Sequence, residues 1–198
     1  MKTLVLCFSQ TGKTKTICSL LSQAIGADFA EIEEIHHRTL LEAHTLGRLS
    51  ARSRKTSDIR PIQADIADYD TIILGCPIWG GFPVPALYDF IREYQIEGKR
   101  IIGLLTYINY QKNAGQVLRE EIEAASAVCE QIVALKSGPK TMRAVREGSI
   151  GFEWNENGGL AIKGLDEPAV YETETAPEET AHPALKALTP TDNAPDDM

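Results

Sequence analysis

Apolar runs alternate with segments of helical periodicity along the first 136 residues of the chain. Nearly continuous apolar runs are typical of parallel strands that are buried on both faces. An alternating run, at residues 29–35, predicts a strand with one exposed face at a sheet edge. The continuous runs span residues 3–8, 71–75, 100–106 and 128–135.

The segments between these strands predict helices. Apolar residues recur at Ile17, Leu20, Leu21, Ala24 and Ile25, the i, i+3, i+4, i+7 spacing of one helix face, and Gly26 follows as a C-terminal cap. Similar patterns predict helices after Val84 and over residues 114–127. Strand–helix alternation of this kind predicts an α/β fold, a three-layer α/β/α sandwich with helices on both faces of a parallel sheet.

The remaining segments are less regular. Residues 36–64 suggest one weak helix followed by a basic stretch, and residues 139–147 allow only a short helix. Residues 149–163 predict a C-terminal β-hairpin around an Asn-Gly-Gly turn. We therefore expect a main domain over residues 1–136, a helix and hairpin extension over 137–164, and a disordered acidic tail over 165–198.

Charge is distributed unevenly along the chain. Of 28 acidic and 20 basic residues, nine acids and one base lie in residues 165–198, so residues 1–164 carry nineteen of each. The body is neutral, and we expect no nucleic-acid partner. The longest uncharged apolar stretch, residues 101–108, is too short to cross a bilayer, and no signal-peptide core is present. Four widely spaced cysteines suggest reduced thiols, so we expect a cytoplasmic protein without a membrane partner.

The turn after the first strand predicts a phosphate site. It contains three hydroxyl residues and one glycine, and it leads directly into a helix whose N–H groups are free to bind an anion. An ordinary capped helix is the alternative, because Ser and Thr are common caps. A nucleotide-triphosphate P-loop is disfavoured, because the motif requires glycine where Cys7 stands. The turn consists of Ser9, Gln10, Thr11, Gly12, Lys13 and Thr14.

The loop after the 71–75 strand, residues 76–83, predicts a site for a flat aromatic ligand. Trp79 and Phe82 stand there on a Gly/Pro-rich turn at the carboxyl end of a strand, where ligands bind in parallel sheets. Gly80 and Gly81 permit positive φ angles, which would let the backbone approach a ring nitrogen. The alternative is that Trp79 packs on the following helix or at a subunit interface.

Together the two loops resemble a known family. The motifs S-x-T-G-x-T and D-x-I-x-x-G-x-P-I-W-x-G, at this separation, are similar to those of the flavodoxin-like FMN proteins. The resemblance implies a five-stranded parallel sheet of order 2-1-3-4-5. It also implies that the six residues 9–14 hold the FMN phosphate. The residues that it places at the border of the isoalloxazine are Pro77, Ile78, Trp79 and Gly80.

Two segments depart from the family pattern. The loop after the 100–106 strand is usually rich in small and acidic residues; here Thr106, Tyr107 and Asn109 would stack on the flavin or bind its pyrimidine edge. Tyr107 could equally pack at the rim. The family also has a long helix after its fifth strand, which this chain lacks. The hairpin or a second subunit would then cover the exposed sheet face, so a homodimer is one expectation.

The resemblance implies an FMN-binding redox protein that exchanges electrons with a redox partner protein. The alternative is an NAD(P)H-dependent reductase of quinones or similar acceptors, and a third hypothesis is a binding module that has lost the flavin. The basic residues 48–60 suggest a solvated loop, or else a site for an acidic partner or a nicotinamide 2′-phosphate. His36, His37 and His44 lack metal-ligand spacing, and we expect them to face solvent.

Overall fold

A computed structural model of the protein describes residues 1–36, 39, 42, 46–109, 113–165 and 170–172. The strands are β1 Thr3–Cys7, β2 Asp28–Glu31, β3 Thr71–Trp79, β4 Phe82–Pro83, β5 Arg100–Tyr107, β6 Val128–Lys136, β7 Gly151–Trp154, β8 Leu160–Lys163 and β9 Val170–Glu172. The helices are α1 Lys13–Ile25, α2 Arg48–Arg52, α3 Pro85–Glu93, α4 Ala114–Ala124 and α5 Pro139–Arg146, with one 3-10 turn at Ile66–Asp68.

Five parallel strands form the sheet in the order β2-β1-β3-β5-β6. When only the five parallel strands are numbered in chain order, leaving out the short strand β4, this order is 2-1-3-4-5. The predicted fold class is therefore confirmed. Because all five strands run the same way, their carboxyl ends meet at one edge of the sheet. The loops after β1, β3 and β5 therefore lie side by side at that edge.

Helices cover both faces of the sheet. On one face α3 and α4 bury side chains such as Phe90 and Leu118, and on the other α1 and α5 bury Leu21 and Met142. The predicted hairpin forms from β7 and β8 and joins the second face, where its Phe152 is buried. Gln131 of β6 bonds the hairpin backbone twice. The Nε2 of Gln131 donates to the Leu160 carbonyl at 3.2 Å, and the Leu160 N–H donates to Oε1 at 2.8 Å.

Strand β3 is longer than expected. Residues 76–79, predicted as loop, continue the strand because Cys76 and Pro77 still pair with Leu105 and Thr106 of β5. The chain then reverses in a tight turn and pairs β4 with the end of β3. Gly80 and Gly81 form this turn with φ angles of 64° and 91°, as the sequence predicts. Successive positive φ angles characterise a hairpin turn that only glycine adopts readily.

Other predicted bounds change as well. The strand predicted over 29–35 ends at Glu31. Beyond it, Glu34 forms one isolated antiparallel β-bridge with Ile59. Within 36–64 the structure describes one five-residue helix, α2. A further strand, β9 at Val170–Glu172, adds antiparallel to β6 within the segment that the sequence predicts to be disordered from residue 165. Residues 173–198 lie outside the described residues. No helix in the described part of the chain is long and apolar enough to span a membrane.

Candidate functional site

The carboxyl edge of the sheet contains a cavity of about 150 Å³. Ten of the thirteen predicted site residues line it, drawn from all three predicted loops. Two further lining residues, Ile108 and Ser137, were not predicted. The predicted residues that line it are Ser9, Gln10, Thr11, Lys13, Thr14, Pro77, Ile78, Trp79, Thr106 and Tyr107.

The first loop leaves the N-terminus of α1 open. Gly12 precedes the helix as its N-cap in the left-handed conformation, with φ 80°, and among the described residues no side-chain cap bonds the first turn. The alternative of an ordinary capped helix is therefore not what the structure shows. The first N–H groups of any α-helix have no partner within the helix, and the helix dipole makes this end attractive to anions. The loop thus offers backbone donors and hydroxyls to the cavity.

One hydrogen bond joins the first loop to β5. Thr14, the second residue of α1, is 2% exposed, and its hydroxyl lies 2.8 Å from that of Thr106. Either hydroxyl can donate. When Thr106 donates, the Thr14 hydrogen is free to donate into the cavity, so this pair sets the direction of a cavity donor.

The third loop is fixed by a residue that the sequence analysis missed. The N–H and the hydroxyl of Ser137 both donate to the Tyr107 carbonyl, at 2.6 and 3.1 Å. Ser137 follows β6, and the only sequence signal was its position before Gly138 and Pro139, at a strand's carboxyl end. Of the other predicted residues of the third loop, Asn109 is exposed and does not line the cavity.

Trp79 packs in the protein and also lines the cavity. Its ring makes an edge-to-face contact with Phe8, at 5.9 Å between centroids. On another side it touches Gly47, where an added Cβ would lie only 2.8 Å from Cζ3 of the indole. The indole remains partly exposed. Trp79 is therefore held in place by neighbours rather than buried, which leaves part of its surface for a ligand.

Gly80 stands at the tip of the β3–β4 turn beside α2. It does not line the cavity, and a Cβ added there would lie 3.3 Å from Nε of Arg48. Both its positive φ and this close approach therefore favour glycine at position 80. The α2 segment, which the sequence barely indicated, packs directly against the second loop.

The cavity carries little charge. Lys13 is the only lysine, arginine or carboxylate among its lining residues in the described part of the chain. All four cysteines are buried free thiols. A hydrogen bond in which the Cys7 thiol donates to Cys18, followed by burial, raises the pKa of Cys7, and burial raises the pKa of Cys76 to about 12. Both thiols therefore stay protonated at neutral pH beneath the loops.

Two other places in the described part of the chain differ from this site. A larger cavity, of about 780 Å³, lies between α3 and α4 near Ile96 and Lys99, where β5 begins. Ligands of parallel sheets bind at the opposite, carboxyl edge. His36 is exposed, and the described residues contain no cluster of metal-ligating side chains. His37 and His44 lie outside the described residues.

The chain is similar to known proteins in both sequence and structure. The family model described as Flavodoxin matches residues 2–136. A flavoprotein in complex with FMN from Lactobacillus acidophilus NCFM is similar at 16% identity, with TM-score 0.58, over 68% of this chain and 91% of that one. A candidate flavoprotein from Bacteroides uniformis ATCC 8492 is similar at 24% identity, with TM-score 0.60, over 74% and 97%. A search of curated proteins found no match.

Proposed function

The chain belongs to the flavodoxin family, and from this premise we propose that it binds FMN noncovalently at the carboxyl-edge cavity and carries electrons between redox proteins. Bound FMN supplies the redox chemistry, and the protein supplies binding, orientation and electrostatics. The observation that carries the proposal is the uncapped N-terminus of α1, which opens on a cavity that also holds an aromatic side chain.

The first loop would hold the phosphate. The free N–H groups of the first turn of α1 would donate to its oxygens, and the hydroxyls of Ser9, Thr11 and Thr14 would add side-chain donors. Lys13 supplies a positive charge at the cavity wall. These donors match a dianion and have no comparable use for a neutral ligand.

The second and third loops would hold the ring system. Pro77, Ile78 and Trp79 present an apolar wall, and Tyr107 faces them from the neighbouring strand. A cavity of about 150 Å³ suits a group of roughly benzene size. A ligand as large as FMN would therefore extend over the partly exposed Trp79 and Tyr107, and would keep one side open to solvent.

This openness favours a carrier over a reductase. Enclosed sites for small organic substrates have volumes of roughly 300–1,000 Å³. The described residues at the carboxyl edge enclose about 150 Å³ around the three loops, which leaves no closed space for a second substrate beside the flavin. An exposed redox group reached by a partner protein needs no such space.

The test is a titration of the apoprotein with FMN and, separately, with riboflavin, which lacks the phosphate. We expect FMN fluorescence to be quenched at one flavin per chain and riboflavin to bind at least about 10-fold more weakly, because it forgoes the donors of the first loop. Thr14→Val should weaken the binding of FMN and leave the binding of riboflavin unchanged. No quenching by a protein with a native circular dichroism spectrum would overturn the proposal.

A second assay separates carrier from enzyme. The FMN-loaded protein is mixed with NADH or NADPH and a quinone, and the nicotinamide absorbance is followed. We expect no turnover above the rate of free FMN. Sustained oxidation of the nicotinamide would instead identify an NAD(P)H-dependent reductase and refute the carrier role.

A further inference from the structure

Helix α2 and the two residues before it, Leu46 and Gly47, pack on the protein through a glycine and an alanine. Gly47 lies against the indole of Trp79, and Ala51, one helical turn later, is fully buried. The Ala51 carbonyl accepts a hydrogen bond from the Tyr88 hydroxyl at 3.4 Å. Residues at i and i+4 share a helix face, so this inward face consists of a glycine and an alanine.

The large side chains of the same segment point outward. Leu46 and Leu49 are each 63% exposed, and Arg48 and Arg52 are exposed as well. We call these four residues the α2 ridge. A segment that buries Gly47 and Ala51 and exposes two leucines is the reverse of the usual pattern, in which leucine faces the core. Exposed leucines in a row mark interaction surfaces more often than scattered ones do.

The ridge also carries uncompensated positive charge. Neither Arg48 nor Arg52 forms an ion pair with any residue that the structure describes. Other arginines of the same basic stretch do, since Arg54 pairs with Glu120 at 2.6 Å and Arg60 with Glu33 at 3.6 Å. The structure thus divides the stretch into paired arginines that hold the segment in place and free arginines on the ridge.

The ridge lies beside the candidate cofactor site. Gly47 touches Trp79, which lines the cavity, and Arg48 lies along the backbone of Gly80. On the cavity itself, Ile108 adds a third exposed apolar side chain, 52% exposed, and Lys13 a further cation. A protein that docked on the ridge would come close to the open side of the cavity.

We propose that the α2 ridge docks an acidic redox protein, with Leu46 and Leu49 as the apolar contacts and Arg48 and Arg52 as the complement to its carboxylates. This inference rests on the proposed function, because it names the partner class of the same site. Charges around an apolar centre steer a partner of opposite sign and raise the association rate at low salt.

Two other occupants fit less well. In a symmetric dimer formed through the ridge, the same arginines of both copies would meet, and like charges would repel. A membrane would need a longer amphipathic helix, since the ridge offers only two leucines for insertion. An acidic protein surface satisfies both the free charges and the small apolar area.

The test uses the full-length, FMN-loaded protein and two probe proteins of opposite charge, an acidic plant-type ferredoxin and a basic cytochrome c. Equilibrium binding of each oxidised probe is measured by calorimetry in 20 and 200 mM NaCl. We expect the ferredoxin to bind more tightly than the cytochrome, with affinity that falls at least about 5-fold at the higher salt.

Matched variants locate the effect. Arg48→Gln with Arg52→Gln should weaken ferredoxin binding at least about 5-fold at low salt, and Leu46→Ser with Leu49→Ser should weaken it at both salt concentrations. Arg143→Gln with Arg146→Gln removes the same net charge from exposed positions of α5 and should change binding less than about 2-fold. Equal losses in the two arginine pairs would show an effect of net charge alone and overturn the proposal.

The remaining outcomes are also decisive. Tighter binding of cytochrome c, dimers that dissociate in the arginine variant, or binding of the ridge to vesicles of anionic lipid in place of ferredoxin would each refute the proposal. FMN affinity is measured separately for every variant. Loss of FMN binding with ferredoxin binding retained would refute the proposed function and leave the ridge as an interaction surface, so the two failures are distinguishable.

Discussion

Variants of Gly75 and Cys18 test how α1 packs against the sheet. Gly75 lies in β3 beside Cys7 of β1, and a Cβ added to it would meet the sulfur of Cys18 far inside contact distance. The next nearest atoms, the Cβ atoms of Cys7 and Cys18, would lie at 3.7 and 3.8 Å, which is ordinary contact. Gly75→Ala should therefore destabilise the protein, and removal of the one sulfur should restore the fit.

The magnitudes follow from the packing. Overpacking costs about 1–3 kcal/mol, and so severe a clash lies in the upper part of that range. The smaller conformational freedom of alanine offsets up to about 1 kcal/mol, so we expect a net loss of at least about 1 kcal/mol for Gly75→Ala. Cys18→Ala alone leaves a small void and should cost about 1–2 kcal/mol. In the double variant the new methyl group fills that void, so we expect its free energy of unfolding within about 1 kcal/mol of the wild type.

Urea denaturation of the four proteins measures this. With an m value of about 2 kcal/mol/M, each single variant should unfold at a urea midpoint lower by roughly 0.5 M or more, and the double variant should return close to the wild-type midpoint. The coupling between the two positions should then be at least about 1 kcal/mol. Additive losses, or a harmless Gly75→Ala, would refute the argument that the sulfur and the glycine share one space.

Three further predictions concern the site, the hairpin and pH. Thr106→Val should weaken FMN binding about 3- to 10-fold in a fluorescence titration without affecting riboflavin, because Thr14 loses the partner that orients it. Gln131→Ala should lower the free energy of unfolding by about 2–4 kcal/mol, since it leaves two backbone groups of Leu160 without partners, whereas Gln116→Ala at an exposed position should have little effect. Burial, followed by neighbouring carboxylates, raises the pKa of Asp89. The folded protein therefore holds the proton more tightly than the unfolded chain, and the wild type loses stability as the pH rises from about 4 through that pKa. Over this range, urea titrations should show Asp89→Asn gaining stability relative to the wild type.

The central sheet was predictable because its signal is local. A strand buried on both faces must be apolar throughout, so β1, β3, β5 and β6 are visible as runs of apolar residues. The end of β3 was not visible, because its continuation through Pro77 depends on pairing with β5 rather than on residue type. Strand β9 was hidden for a related reason, since three residues in an acidic segment give no periodicity.

The same distinction, between features with a local sequence signal and features that depend on tertiary contacts, applies to the site. Its loops follow from the topology, because parallel strands bring their carboxyl ends together, and the cavity assembled from them contains most of the predicted residues. Ser137 was missed because its role lies in two hydrogen bonds to the Tyr107 carbonyl, a contact between strands. The α2 segment was indicated only weakly, because a segment that buries only Gly47 and Ala51 gives little apolar periodicity.

Strand β9 has a consequence for how the chain can be shortened. Without it, β6 would present a nine-residue, largely apolar edge with open backbone donors and acceptors, which is a template for pairing between molecules. The opposite border, β2, is only four residues long and carries Asp28 and Glu31, so it invites such pairing far less. β9 covers the central part of this edge, residues 132–134. Removal of the acidic C-terminal segment would thus leave the whole edge open to edge-to-edge aggregation, and expression vectors that end before residue 170 should yield inclusion bodies.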